Sequence, residues 1–160
     1  MRIEPLLNGR ATALEVEPQE LLLDVLRERL RLTGAKRSCE VQVCGTCTVL
    51  VDGLPVSACT YLAAETDGRE VTTIEGLRES PAYERIAAAF TRHAATQCGF
   101  CSPAFVLTVH ALLAEAEAAD EPLDPERLRH ELAGNLCRCT GYDKIIRAVQ
   151  LAQKQPAGSR

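Results

Sequence analysis

Eight cysteines stand in a chain of 160 residues, and four of them fall between positions 39 and 59. They read Cys39-Glu-Val-Gln-Val-Cys44-Gly-Thr-Cys47, then eleven residues, then Cys59. Three thiolates from one tight loop and a fourth from a neighbouring segment suit the two irons of a 2Fe–2S cluster. Gly45 lets the backbone close on such a group with no Cβ in the way. The other four form Cys98-Gly-Phe-Cys101 and, 35 residues later, Cys137-Arg-Cys139. That second pattern is less specific alone, and a structural zinc site of four thiolates is the alternative reading. Two sets of four use every cysteine, which favours iron–sulfur for both and leaves no thiol for nucleophilic chemistry. An even count also permits disulfides, but a chain this long can build a core without them.

Composition excludes more than it selects. The chain is 46% hydrophobic and 25% charged, with a net charge of −4. That balance argues against a nucleic-acid surface or a polybasic membrane patch. Five basic residues lie between Arg27 and Arg37. They read as a solvated helix face, with a docking edge for a partner as the alternative. The N-terminus shows no apolar signal region, and no run approaches the ~18 apolar residues of a membrane span. A cytoplasmic protein with no membrane span is expected, where thiols serve as metal ligands rather than disulfides.

In chain order, Ile3–Leu7 and Arg10–Val16 flank Asn8-Gly9, a hairpin signal. Leu21, Leu22, Val25, Leu26 and Leu30 recur at helical spacing, which predicts a helix over about 20–32. Thr48–Val51 leads through Asp52-Gly53 into a second hairpin just before Cys59, and Glu70–Ile74 reads as a last strand. Two hairpins, one helix and a late strand predict a β-grasp. Beyond Leu77 alanine-rich helical periods take over, so a domain boundary is placed near 78. Helices are expected from Ser80-Pro81 to about His93, from Pro103 to about Ala119, from Asp124-Pro125, and from Tyr142 to about Lys154, followed by a frayed tail over 155–160. The fold class is α+β: a β-grasp domain over 1–78, then an all-α four-helix domain over 79–160. Both later cysteine pairs are expected near helix N-terminal ends, where free amides and the dipole stabilise an anionic cluster.

Three stretches then carry a resemblance: Cys44-Gly-Thr-Cys-Thr-Val-Leu-Val-Asp-Gly53, Gln97-Cys-Gly-Phe-Cys-Ser-Pro103 and Asn135-Leu-Cys-Arg-Cys-Thr-Gly-Tyr142. In this order they resemble the small iron–sulfur subunit of the molybdenum hydroxylases, the xanthine dehydrogenase and aerobic carbon monoxide dehydrogenase family, over roughly residues 1–154. The resemblance implies a plant-type ferredoxin-like domain and a helical domain, each holding one 2Fe–2S cluster. It assigns Cys39, Cys44, Cys47 and Cys59 to the first cluster and Cys98, Cys101, Cys137 and Cys139 to the second. It implies that Gln97, and Cys139 besides its ligand role, contact a molybdopterin on a large partner subunit, and that FAD lies on a medium one, the assembly being a dimer of heterotrimers. Ser38, Thr46 and Ala104 depart from residues usual in the family, and none of these changes removes a ligand.

The remaining candidates are bland. His93, His110 and His130 have no cysteine left to partner and read as structural. Arg138 between two ligands offsets cluster charge or is a plain surface arginine. No pair of acids forms a catalytic pattern. The apolar run Phe105–Leu113 is expected to be buried, in part by partner chains. The function expected is electron relay from molybdopterin to FAD during oxidation of a small heterocycle, an aldehyde or carbon monoxide, as an oxidoreductase subunit not catalytic alone. A free-standing two-cluster ferredoxin and a zinc-stabilised adaptor are the alternatives.

Overall fold

The structure, a computed structural model, describes residues 1–155. The expected tail lies, from 156 on, outside the described residues. The N-terminal half is a mixed sheet. Strands β1 (Arg2–Ile3), β2 (Leu6–Leu7), β3 (Arg10–Ala11) and β4 (Leu14–Glu15) come first, then β5 (Thr48–Val51), β6 (Leu54–Ser57) and β7 (Glu70–Thr72). The five-stranded sheet runs β3-β2-β7-β5-β6, with β2 parallel to β7 and the other neighbours antiparallel. Both Asn8-Gly9 and Asp52-Gly53 take positive φ at each position, as a two-residue hairpin turn requires. The first hairpin is not continuous. Pro5 has no amide to give to a ladder, and β1 with β4 separates as its own two-stranded ribbon.

The expected helix over 20–32 is shorter. Helix α1 (Leu22–Asp24) runs on as a π-turn over Val25–Arg29 and stops at Leu30. Arg31 then takes φ +58 and the Leu32 amide returns to the Leu26 carbonyl. Leu22, Leu23, Val25 and Leu26 are still buried, so the apolar stripe was legible although its winding was not. The last strand ends at Thr72, and a four-residue helix α2 (Ile74–Leu77) begins where the strand was expected to continue.

The C-terminal half holds four helices: α3 (Pro81–Arg92), α4 (Ser102–Ala119), α5 (Pro125–Glu131) and α6 (Asp143–Gln153). Ser80 caps α3 by accepting from the Tyr83 amide, and Asp124 caps α5 by accepting from Glu126 and Arg127. With α1 and α2 the described chain has six α-helices, the four of the second half being those expected.

Strand β5 lies between two cores. Val49 and Val51 pack with Leu22, Leu23, Leu26 and Val71, while Leu50 packs with the helical core of Ile86, Phe105, Val109 and Leu113. The run Phe105–Leu113 is therefore covered largely by the chain's own sheet and helices. The burial expected of the run is thus supplied largely within the chain, with His110 and Ala111 only partly covered. The basic run is also largely used within the chain. Arg27 donates to the Thr33 and Ala35 carbonyls, Lys36 to the Thr33 carbonyl, Arg29 pairs with Glu20, and Arg37 pairs with Asp24 and Glu40. These contacts shape the segment that leads into the first cysteine loop.

Candidate iron–sulfur sites

The first loop turns on three residues with left-handed φ, Glu40, Gln42 and Gly45. This winding aims the Val43 and Cys44 amides at Cys39 Sγ, both at 3.4 Å. Amides of Val41, Cys44 and Val43 bring the Cys39 thiol down to about 6. Cys47 and Cys59 belong to the sheet core, and burial, with Cys59 alongside, pushes Cys47 up to about 11. Cys39 touches Cys44, and Cys47 touches Cys59. The site is thus open on the Cys39 side, where Val41 and Val43 are exposed, and closed on the other.

In the second half Cys101 immediately precedes α4, as expected of a cluster ligand at a helix N-terminus. Cys137 and Cys139 lie farther back, in the loop ahead of α6. Burial, with Cys137 alongside, pushes Cys101 up to about 12. Burial also works upward on Cys137, but the Thr140 hydroxyl and the amides of Thr140 and Cys139 outweigh it and its net shift is downward. The neighbouring Cys98 raises Cys139. Cys101 touches Cys137, and Cys98 touches Cys139.

All eight thiols are free, and each set meets two by two. Among the described residues no three Cys, His, Asp or Glu side chains converge on one ion-sized point. Pairs of thiols, with amides and hydroxyls aimed at their sulfurs, suit two irons bridged by sulfide better than one tetrahedral zinc. The donor set therefore fits a 2Fe–2S cluster in each half. A cavity of about 500 Å³ is lined by all four cysteines of the second set and also by Ser38, Cys44 and Thr46 of the first loop. The two sites share that wall.

The link between them is a polar seam. The Leu136 amide donates to the Cys44 carbonyl at 2.9 Å. Asn135, 5% exposed, donates through Nδ2 to the Gly45 carbonyl at 3.1 Å and to Thr48 Oγ1 at 3.2 Å. Its Oδ1 accepts from Thr108 Oγ1 at 3.0 Å. Tyr142 OH accepts from the Cys137 amide at 3.0 Å and donates to the Asn135 carbonyl at 3.2 Å. A Cβ at Gly45 would lie 2.2 Å from the Gly134 carbonyl. The close approach at Gly45 is thus made by the other half's backbone, whereas the sequence pointed only to the cluster. Sequence reasoning gave no role to Asn135, Thr108 or Thr48. The available signal was Thr108, a lone hydroxyl within an apolar helical run.

Gln97 and Cys139 are both exposed beside Cys98, on the outer rim of the second site, with Phe100 and Leu136 each 46% exposed nearby. Arg138 lines the cavity, and none of the three histidines does. Burial, followed by the Arg85 charge, pushes His110 down, as suits a neutral packed side chain.

A sheet half and a helical half, each bringing four free thiols together as two neighbouring pairs, define a two-site 2Fe–2S electron-transfer protein. Residues 6–73 match the family described as "2Fe-2S iron-sulfur cluster binding domain", and residues 73–150 match a 2Fe-2S binding domain family. The nicotine 6-hydroxylase small subunit of Paenarthrobacter nicotinovorans is 44% identical over 93% of this chain and 87% of its own. The xanthine dehydrogenase iron-sulfur-binding subunit of Escherichia coli O157:H7 is 40% identical over 95% of this chain and 94% of its own. A chain in the crystal structure of quinoline 2-oxidoreductase from Pseudomonas putida 86 superposes with a TM-score of 0.86 at 39% identity, covering 96% of this chain and 94% of that one. The chain belongs to the family of small iron–sulfur subunits of the molybdenum hydroxylases. It is an electron-transfer subunit of an oxidoreductase and is not catalytic alone. No helix among the described residues is long and apolar enough to cross a membrane.

Proposed function

We propose that this chain carries electrons from a molybdopterin centre on a large partner subunit to FAD on a medium partner subunit. The observation that carries the reading is the meeting of the eight free thiols in two foursomes that share a wall. Cys39, Cys44, Cys47 and Cys59 would hold one 2Fe–2S cluster, and Cys98, Cys101, Cys137 and Cys139 the other. Bound there, each cluster supplies acceptance and release of single electrons. The protein's own part is to fix the thiolates, to aim amides and hydroxyls at their sulfurs, and to hold the two loops together through Asn135. Gln97 and Cys139, on the outer rim, would touch the molybdopterin, and Arg138 would offset cluster charge. The half-exposed Phe100 and Leu136 flank that rim and favour burial by a partner over a free-standing ferredoxin.

The division into domains is inferred at 1–78 and 79–160, just past α2, whose Leu77 already packs into the helical core. The assembly is inferred to be a dimer of heterotrimers in the cytoplasm. It would oxidise a small heterocycle, aldehyde or carbon monoxide, and relatives named for nicotine, xanthine and quinoline favour the heterocycle. The test is purification at native expression level. One molybdenum-binding chain and one flavin-binding chain should come down with this one, and iron and acid-labile sulfide should each reach about four per small subunit, the content of two such clusters. Stoichiometric zinc without labile sulfide, or a stable monomer with full iron content, would refute the reading.

A further inference from the structure

We propose that Thr46 and Thr140 are positioning residues of the relay, each donating its hydroxyl proton to the sulfur of one ligand at the seam and so raising the potential of the cluster that ligand holds. This rests on the ligand assignment above. Thr46 is 6% exposed, and among the described residues its hydroxyl has one hydrogen-bond partner, Cys44 Sγ at 3.3 Å. Thr140 Oγ1 lies 3.1 Å from Cys137 Sγ. The direction of donation follows from the chemistry. A thiolate bound to iron has no proton, so only the threonine can donate. At Thr140 a second contact agrees, because the Tyr142 amide donates to the same oxygen at 3.3 Å and leaves the hydroxyl proton for the sulfur. A buried hydroxyl is costly unless it is hydrogen-bonded, which gives Thr46 a reason to face Cys44.

The two sulfurs served in this way are placed alike. Cys44 accepts the Leu136 amide on its carbonyl, and Cys137 is the next residue after Leu136. Cys44, Thr46 and Cys137 all line the shared cavity. The hydroxyls therefore act on Cys44, which takes part in the backbone hydrogen bond across the seam, and on Cys137, the residue next to its partner Leu136. A hydrogen bond to sulfur strengthens as negative charge accumulates there, so a donor favours the reduced state and raises the potential.

The experiment is a redox titration of the assembled complex followed by electron paramagnetic resonance, with Thr46→Val, Thr140→Val and the two serine variants. Thr46→Val should lower the midpoint of the first cluster alone, and Thr140→Val that of the second alone. Each shift should correspond to roughly a three- to tenfold fall in the ratio of reduced to oxidised cluster at fixed solution potential, a fraction of one charge-assisted hydrogen bond. The serine variants keep the hydroxyl and should return to the wild-type midpoints. Valine variants with both signals intact and both midpoints unmoved would overturn the proposal, as would serine variants shifted as far as the valine ones. Where a valine variant does not load, the alanine variant replaces it under the same expectation and the same refutation. Wild-type protein lacking the two cluster signals would refute the ligand assignment instead, so the two failures can be told apart.

Discussion

Asn135 touches both halves of the chain at once, donating to Gly45 and Thr48 on one side and accepting from Thr108 on the other. Its replacement by alanine would remove three buried hydrogen bonds and leave the Thr108 hydroxyl without its acceptor, although the Gly45 carbonyl keeps the Thr48 amide and hydroxyl. Asn135→Ala should therefore cost about 2–3 kcal/mol, more than a typical exposed polar change. For a chain of this size that is roughly a 5–10 °C fall in melting temperature, read by circular dichroism. A fall below about 2 °C would mean that water replaces the amide. Cys39 offers a second residue-level test. Its thiol is held at about 6 by the amides of Val41, Cys44 and Val43, while burial holds Cys47 at about 11 and Cys101 at about 12. In the cluster-free chain at pH 7, Cys39 should be mostly thiolate and the other two protonated. Iodoacetamide, which attacks thiolate, should label Cys39 first, and its rate should fall as pH drops through about 6. Mass spectrometry of peptides would read this, and equal labelling of Cys39 and Cys47 would contradict it. The same amides that make Cys39 reactive without a cluster would stabilise charge on its sulfur with one.

Elements that depend on sequence neighbours were legible before the structure. The turns at Asn8-Gly9 and Asp52-Gly53, the caps at Ser80 and Asp124, and the burial of α4 each follow from a few adjacent residues. What the sequence did not show depends on distant ones. The π-turn after α1 follows from the course of the chain beyond Arg31, and the seam joins Asn135 to Gly45 across 90 positions. Likewise the cysteine spacing revealed the two sets but not their common wall, because that wall exists only once α4 lies across the sheet. Strand β5 shows why the sheet and the helices cohere. Its residues alternate between cores, so Leu50 packs into the helical core and Thr48 meets Asn135, while Val49 and Val51 serve the other side. Leu50→Ala should cost about 3 kcal/mol, within the usual range for a buried leucine, although the residue belongs to the sheet. Guanidinium unfolding would measure it. A cost below about 1 kcal/mol would mean that α4 closes over the gap and that β5 is not what anchors it.

At the scale of the molecule the two sites differ in what they present to the outside. The second exposes Cys98 and Cys139 beside Gln97, while the first presents the half-buried Cys39 with the exposed Val41 and Val43. Between them lies the Cys44–Leu136 hydrogen bond. If Gln97 and Cys139 meet the molybdopterin, electrons enter through the helical half, cross at the seam and leave through the sheet half. Cys101→Ser in the assembled complex tests this order. Cys101 is on the inner side of the second site, in contact with Cys137, so its loss should disable that site without altering the rim. Substrate should still reduce molybdenum, because that chemistry uses no residue of this chain. Reduction of flavin by substrate should fail or slow greatly. The cluster also contributes folding energy, so its loss could loosen the helical half and mimic a broken relay. Flavin reduction by dithionite, which bypasses the second site, should persist and is the control. Rapid-mixing spectroscopy would follow both reactions. Near-normal reduction of flavin by substrate, with the second cluster shown absent by electron paramagnetic resonance, would mean that electrons reach the sheet half without crossing the helical one.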